Sequence, residues 1–132
     1  MVKQLATTYE KRGDSILLEL TEEKQTYLFT GLQCRPTVSL LRSFSAPVRL
    51  KKPHDREATT LLMACDSDLF NRWDAAFSLS KSLIIDLVDK VSAGAEMNID
   101  NKYVEAAGTL LTSQSGDDAL TALALQLPED AF

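Results

Sequence analysis

The chain has 132 residues, 45% of them hydrophobic and 25% charged, with a formal net charge of −5. This is the composition of a soluble globular protein, and its acidic balance excludes nucleic acid as the main partner, because phosphate binding needs a basic face. The length allows one domain or two very small ones, and no apolar run is long enough to span a bilayer.

No basic stretch followed by an apolar one opens the sequence, so no secretory signal is expected. Cys34 and Cys65 are too few for a disulfide framework. The expectation is a cytoplasmic setting with two free, buried or half-buried thiols.

Residues 1–14 are weakly patterned and read as a loose lead ending in a turn at Gly13-Asp14. Ser15–Thr21 and Gln25–Thr30 read as two strands of an antiparallel hairpin, turning at Glu22-Glu23-Lys24. An irregular crossing follows, with Pro36 in it and an apolar patch at Val38, Leu40 and Leu41. Pro47–Leu50 reads as a last strand, because Ala46 before a proline is pushed to extended geometry.

The period turns helical after the charged hinge Lys51-Lys52-Pro53-His54-Asp55. Asp55 is the expected N-cap of a helix through Cys65, with Ala58, Leu61, Leu62 and Cys65 on one face. Asp66-Ser67-Asp68 supplies caps for a second, longer helix. Its expected core stripe is Leu69, Trp73, Ala76, Phe77, Ser80, Ile84, Leu87, Val88 and Val91. Asp86 and Lys90 are spaced as an ion pair on its wet side. Gly94 stops it. Asn101–Thr112 and Asp117–Leu127 read as two further helices, with Pro128 after the last.

The expected fold class is therefore mixed, β then α, with residues 1–52 as the β part and 53–132 as the helical part. Three or four strands do not close a sandwich, and they leave an edge open. The helices alternate like the first pairs of an α-solenoid, which needs neighbours. Each half reads as incomplete.

Three segments carry a resemblance to a known family. Tyr27–Leu50, YLFTGLQCRPTVSLLRSFSAPVRL, is similar to the end of the Ig-like β-sandwich domain in the bacterial-type alanyl aminopeptidases, the aminopeptidase N family. Pro36, Ser39-Leu40-Leu41 and Phe44-Ser45-Ala46-Pro47-Val48 stand at the family's motif positions. Thr37 and Val38 depart from it. Asp66–Ala76, DSDLFNRWDAA, resembles a segment in the first helices of that family's C-terminal helical domain, of the ARM/HEAT-like solenoid type. Leu123–Pro128, LALQLP, resembles the end of an early solenoid helix. Together these cover residues 15–128.

The resemblance implies a parent enzyme that removes N-terminal amino acids from peptides with one zinc ion. The zinc is held by a His-Glu-x-x-His helix, and a Gly-x-Met-Glu-Asn segment recognises the substrate amine. Neither motif occurs here, and His54 is the only histidine. No catalytic, cofactor-binding or metal-binding residue is assigned, and the chain alone is expected to be inactive. The implied partner is the parent's catalytic domain. An uncovered strand edge near Gln25–Phe29 and an apolar helical face near Leu120–Leu127 also predict self-association. The rival expectation is a stand-alone protein-interaction module.

The remaining candidates have bland readings. Gly94-Ala95-Glu96-Met97-Asn98 inverts the middle of the substrate-binding motif and reads as a helix-ending loop. His54-Asp55 reads as a solvated hinge rather than an acid–base pair. Asp66-Ser67-Asp68 lacks the glycine and distal glutamate of a calcium loop and reads as caps. Trp73 is expected in the core, with Arg72 bonding nearby acids or carbonyls. Arg49, Lys51 and Lys52 read as a solvated strand end.

Overall fold

The structure, a computed structural model, describes residues 2–3, 9–12, 15–48, 50–51, 55–113 and 117–128. The chain divides into two compact units, Met1–Pro36 and Thr37–Phe132. His54, Arg49 and Lys52 lie outside the described residues, while Lys51 is exposed.

Among its described residues, the first unit holds four short strands in two antiparallel pairs: β1 (Val2–Lys3) with β4 (Leu28–Phe29), and β2 (Tyr9–Arg12) with β3 (Ser15–Leu18). This corrects the expected hairpin. Ser15–Leu18 does not pair with the residues after the Glu22 turn but with Tyr9–Arg12. Only Gly13 and Asp14 separate these strands in sequence, and a shorter closure costs less chain entropy. The lead is thus not loose throughout. The turn at 21–25 is held by the Thr21 amide donating to Gln25 Oε1 at 3.0 Å and by the Tyr27 hydroxyl on the Glu19 carbonyl. The expected last strand is also corrected: Pro47, Val48 and Leu50 are not in a strand.

The second unit opens with a strap, residues 37–48, containing one 3-10 turn at Arg42–Phe44. Four helices follow: α1 (Arg56–Cys65), α2 (Leu69–Ser92), α3 (Asn101–Thr112) and α4 (Asp118–Leu125). Each starts on an aspartate. The carboxylates of Asp55, Asp68, Asp100 and Asp117 accept the amides of Ala58, Asn71, Lys102 and Leu120. Each such cap stabilises its helix by about 0.5–2 kcal/mol. At the other end of α2, Gly94 takes φ 69°. Its amide donates to Val91 and the Ala95 amide to Lys90, the paired bonds of a Schellman motif.

α1 packs on α2 and α3, and α4 on α2 and α3. The core is Leu62 and Met63 of α1, Ala75, Ala76 and Leu79 of α2, Ala106 and Leu110 of α3, and Ala124 of α4. The small residues Ala75, Ala76 and Ser80 let neighbouring backbones come close. Ser80 Oγ meets the Tyr103 hydroxyl at 3.0 Å, so the buried hydroxyl is satisfied.

The buried face of α2 differs from the expected stripe. Arg72, Ala75, Ala76, Leu79, Ser80 and Leu83 are buried, while Val88 and Val91 are 57% and 55% exposed. Trp73 and Phe77 are half-buried at the rim rather than in the core. On α1, Thr59, Leu62 and Met63 are buried, whereas Leu61 and Cys65 are exposed. Cys34 is exposed too, so neither thiol sits where it was expected.

Candidate functional site: a polar clasp at the α1–α2 corner

Asp66 is the first of three residues between α1 and α2, and its side chain is 1% exposed. A carboxylate this buried must be paired and hydrogen-bonded to be tolerated. Arg42 Nη1 donates to Asp66 Oδ1 at 2.7 Å, and Ser39 Oγ donates to Oδ2 at 2.6 Å. The Asp68 amide adds a third bond to Oδ1 at 2.9 Å.

The strap is fixed at several further points. Arg42 Nη2 reaches Ser67 Oγ at 2.8 Å. The Ser43 amide donates to Asp68 Oδ2 at 2.9 Å. Asn71 Nδ2 donates both to Ser39 Oγ at 2.9 Å and to the Leu40 carbonyl at 2.8 Å. Asp66-Ser67-Asp68 is therefore a set of caps, as its composition suggests, and also the receiving surface for the strap. The second role was not read from the sequence.

Burial pushes the Asp68 carboxyl up, but the amides of Asn71 and Ser43, the Arg42 charge and the Phe70 amide outweigh it. The group therefore sits below its ordinary value. Two of the groups that hold it as an anion, the Ser43 amide and Arg42, belong to the strap.

The strap backbone is strained. Leu41, Ser43 and Phe44 take φ of 57°, 53° and 54°, in the left-handed region. For non-glycine residues each such position costs of order 1–3 kcal/mol and persists only where the surroundings impose it. Here the imposing groups are the clasp and an aromatic row. Phe44 lies 4.5 Å from Phe70 between ring centroids, Phe70 lies 5.4 Å from Trp73, and Trp73 lies 5.8 Å from Phe77. Trp73, half-buried, thus packs against the edge of the core cluster and also joins the aromatic row.

Arg72 points the other way, into the helices, and is buried. Its Nε donates to the Asp66 carbonyl at 2.8 Å, Nη2 donates to the same oxygen, and Nη1 reaches Ser113 Oγ at 3.2 Å. The carbonyl-bonding role expected of Arg72 is found, in a buried setting that periodicity did not reveal. Asp66 is therefore a two-sided hub, with its carboxylate on the strap and its carbonyl on Arg72, which itself reaches Ser113 after α3.

A second charged cluster lies along α1, α2 and the start of α3. Arg56 Nη1 meets Asp86 Oδ2 at 2.6 Å, and Nε meets Asp100 at 3.3 Å. Asp86 thus bonds to Arg56 rather than forming the expected pair with Lys90. The cluster borders an open groove of about 500 Å³, with Leu83, Leu87, Lys90 and Ile99 on its walls. Gly94–Asn98 forms an exposed helix-ending loop, as read from its sequence. Among the described residues, no three His, Cys, Asp or Glu side chains gather to hold a metal.

Residues 56–132 match the family described as a domain of unknown function (DUF3458_C) with ARM repeats. The chain belongs to this family. Residues 3–53 match the companion DUF3458 domain of Ig-like fold. The architecture is thus an Ig-like stretch followed by ARM-repeat helices, the fold class expected from the sequence. The chain is 34% identical over 121 residues to an aminopeptidase N of Caulobacter vibrioides, covering 89% of this chain and 13% of that protein. It is 33% identical over 112 residues to the Escherichia coli K12 aminopeptidase N, covering 85% and 13%. A crystal structure of Legionella pneumophila aminopeptidase A in complex with aspartic acid matches 86% of this chain and 13% of that chain. The TM-score is 0.66 and the identity 33%. The recognised resemblance to aminopeptidase N is therefore correct. The chain spans about an eighth of the length of the relatives it matches. Among the described residues, no helix is long and apolar enough to cross a membrane.

Proposed function

We propose that this chain is the non-catalytic joint between the Ig-like and helical parts of an aminopeptidase N-type zinc peptidase. The parent would remove N-terminal amino acids from peptides in the cytoplasm, with its zinc held by residues outside this segment. The joint would divide at residues 52 and 53. It would dock the helical cap against the parent's catalytic domain and so limit access to large substrates. The observation that carries this reading is the clasp: the strap lies within the stretch that matches the Ig-like family, yet its polar side chains bond to the first helix corner.

The test uses the purified chain and the catalytic part of the Caulobacter aminopeptidase expressed without its own equivalent segment. The chain alone should cleave neither alanyl nor leucyl arylamides. Co-expressed, the two should co-purify, and the pair should hydrolyse such substrates in a chelator-sensitive way. Arylamidase activity of the chain alone, or no association between the parts, would sink the proposal.

A second reading is a stand-alone interaction module. It draws on Val104, Leu111, Leu123 and Leu127, which are large apolar residues about half exposed or more. Exposed apolar surface of this kind drives association. Sedimentation over a wide concentration range distinguishes them, because a module would keep that surface for a different partner and stay a compact monomer alone, whereas an excised joint should self-associate through it.

A further inference from the structure

We propose that residues 37–48 are a detachable strap, which opens as one piece while α1–α4 stay folded beneath it, with the Asp66 clasp setting how often it opens. Three observations converge on this.

The first is burial. None of residues 37–48 is buried, none belongs to the core cluster, and Phe44 is 72% exposed. Opening therefore takes no buried side chain out of the helical core and loosens only the rim, where Phe44 meets Phe70 beside Trp73. The regions of a protein that open first are those with few buried apolar contacts and exposed backbone.

The second is the bonding pattern. The strap's own backbone bonds are two short local ones, Ser45 to Arg42 and Val48 to Ala46. Its hold on the helices comes from Ser39, Arg42, the Ser43 amide and the Leu40 carbonyl. These converge on one corner, with Asp66 shared by two of them. A hold of this kind lets go together rather than residue by residue.

The third is strain. Leu41, Ser43 and Phe44 are kept left-handed by those contacts, so release is driven by relaxation of the backbone itself. Burial raises the Asp68 carboxyl, but the Asn71 and Ser43 amides and the Arg42 charge hold it below its ordinary value, so the Ser43 contact is made to an anion. The consequence is a joint with two states, one tied and one free. That biological meaning rests on the proposed joint role, whereas the opening itself belongs to this chain alone.

Amide hydrogen exchange on the full 132-residue chain tests it. Arg42→Ala and Ser39→Ala remove strap-side bonds without touching the helices, and Asp66→Asn removes the charge from the hub. The Ser43 amide should exchange about tenfold faster or more in Arg42→Ala, since a hydrogen bond to a charged group is lost. Ser39→Ala should accelerate it less. In each variant the amides of residues 75–83 should keep their wild-type rates, and iodide should quench Trp73 more readily. Strap and core amides accelerating together would overturn the proposal, because the strap would then be part of the helical fold. An unchanged Ser43 rate in Arg42→Ala would overturn it equally. If Arg42→Ala unfolds the helices by circular dichroism, the strap is not detachable. None of these outcomes depends on co-purification with a catalytic part, so the two proposals can fail separately.

Discussion

The helical unit and the β unit treat apolar residues differently. In the helices, Met63, Ala76 and Leu110 are fully enclosed. In the β unit, no side chain among residues 16–36 is buried, and Leu20, Leu28, Phe29 and Leu32 stand 45–73% exposed. The difference follows from how each element satisfies its backbone. A helix closes its hydrogen bonds internally, so four capped helices can bury a small core together. A strand depends on neighbours, and a lone two-stranded ribbon is marginal in water. Among the described residues, the helices therefore share an enclosed core and the strands do not.

The sharpest way to break this contrast is to open the helical core. Leu110→Ala removes a fully buried side chain where α3 meets the other helices and should cost about 2–5 kcal/mol. That is a large share of what so small a domain has. Thermal unfolding followed by circular dichroism should show lost cooperativity, and an unchanged midpoint would mean the core lies elsewhere.

Arg72→Ala comes next. Sequence periodicity assigns the core position to Trp73 and makes Arg72 a mild site; burial reverses the order. Removing Arg72 leaves the buried Asp66 carbonyl without two of its donors, at about 1–3 kcal/mol. Trp73→Ala, at the half-buried rim, should fall short of the about 3–5 kcal/mol of an enclosed aromatic. Denaturant titrations of the two variants decide it, and Arg72→Ala proving the milder would restore the sequence expectation.

A smaller effect is electrostatic. Asp68 is depressed in the folded state, so the stability it adds is present above the unfolded value of about 3.9 and is lost as pH falls through the folded value. Asp68→Asn keeps a capping side chain but not the charge. The stability difference between wild type and Asp68→Asn should be flat from pH 7 to about 5 and shrink in acid, with a plateau of about 0.3–1 kcal/mol. A difference that grows on acidification would refute the assignment.

The smallest effect belongs to the β unit. Leu28→Ser and Leu20→Ser remove exposed side chains and should shift helical unfolding by no more than about 0.5 kcal/mol. A larger shift would show that the two units share stability.

What the sequence determined by itself was local. Asp55 and Asp68 cap helices as their sequence setting indicates, and Gly94 ends α2, because capping needs only side chains within a turn of the backbone they serve; Asp100 and Asp117 cap in the same way but were not read as caps. The bounds of α3 were legible as well. The family was legible in Tyr27–Leu50 and Asp66–Ala76, where whole motifs recur.

What only the tertiary structure decided was which way each element faces and what it meets. The buried face of α2 lies about one residue, roughly 100°, from the stripe that hydrophobicity picks out. Small Ala75 and Ala76 fit between close helices, while Trp73 and Phe77 serve the rim. Strand pairing also escaped the sequence, since apolar residues mark a strand but not its partner. The clasp escaped it for a related reason. Ser39, Arg42 and Asp66 are ordinary polar residues 24–27 positions apart. Only the fold brings them within hydrogen-bonding distance and removes the water that would otherwise weaken the contact.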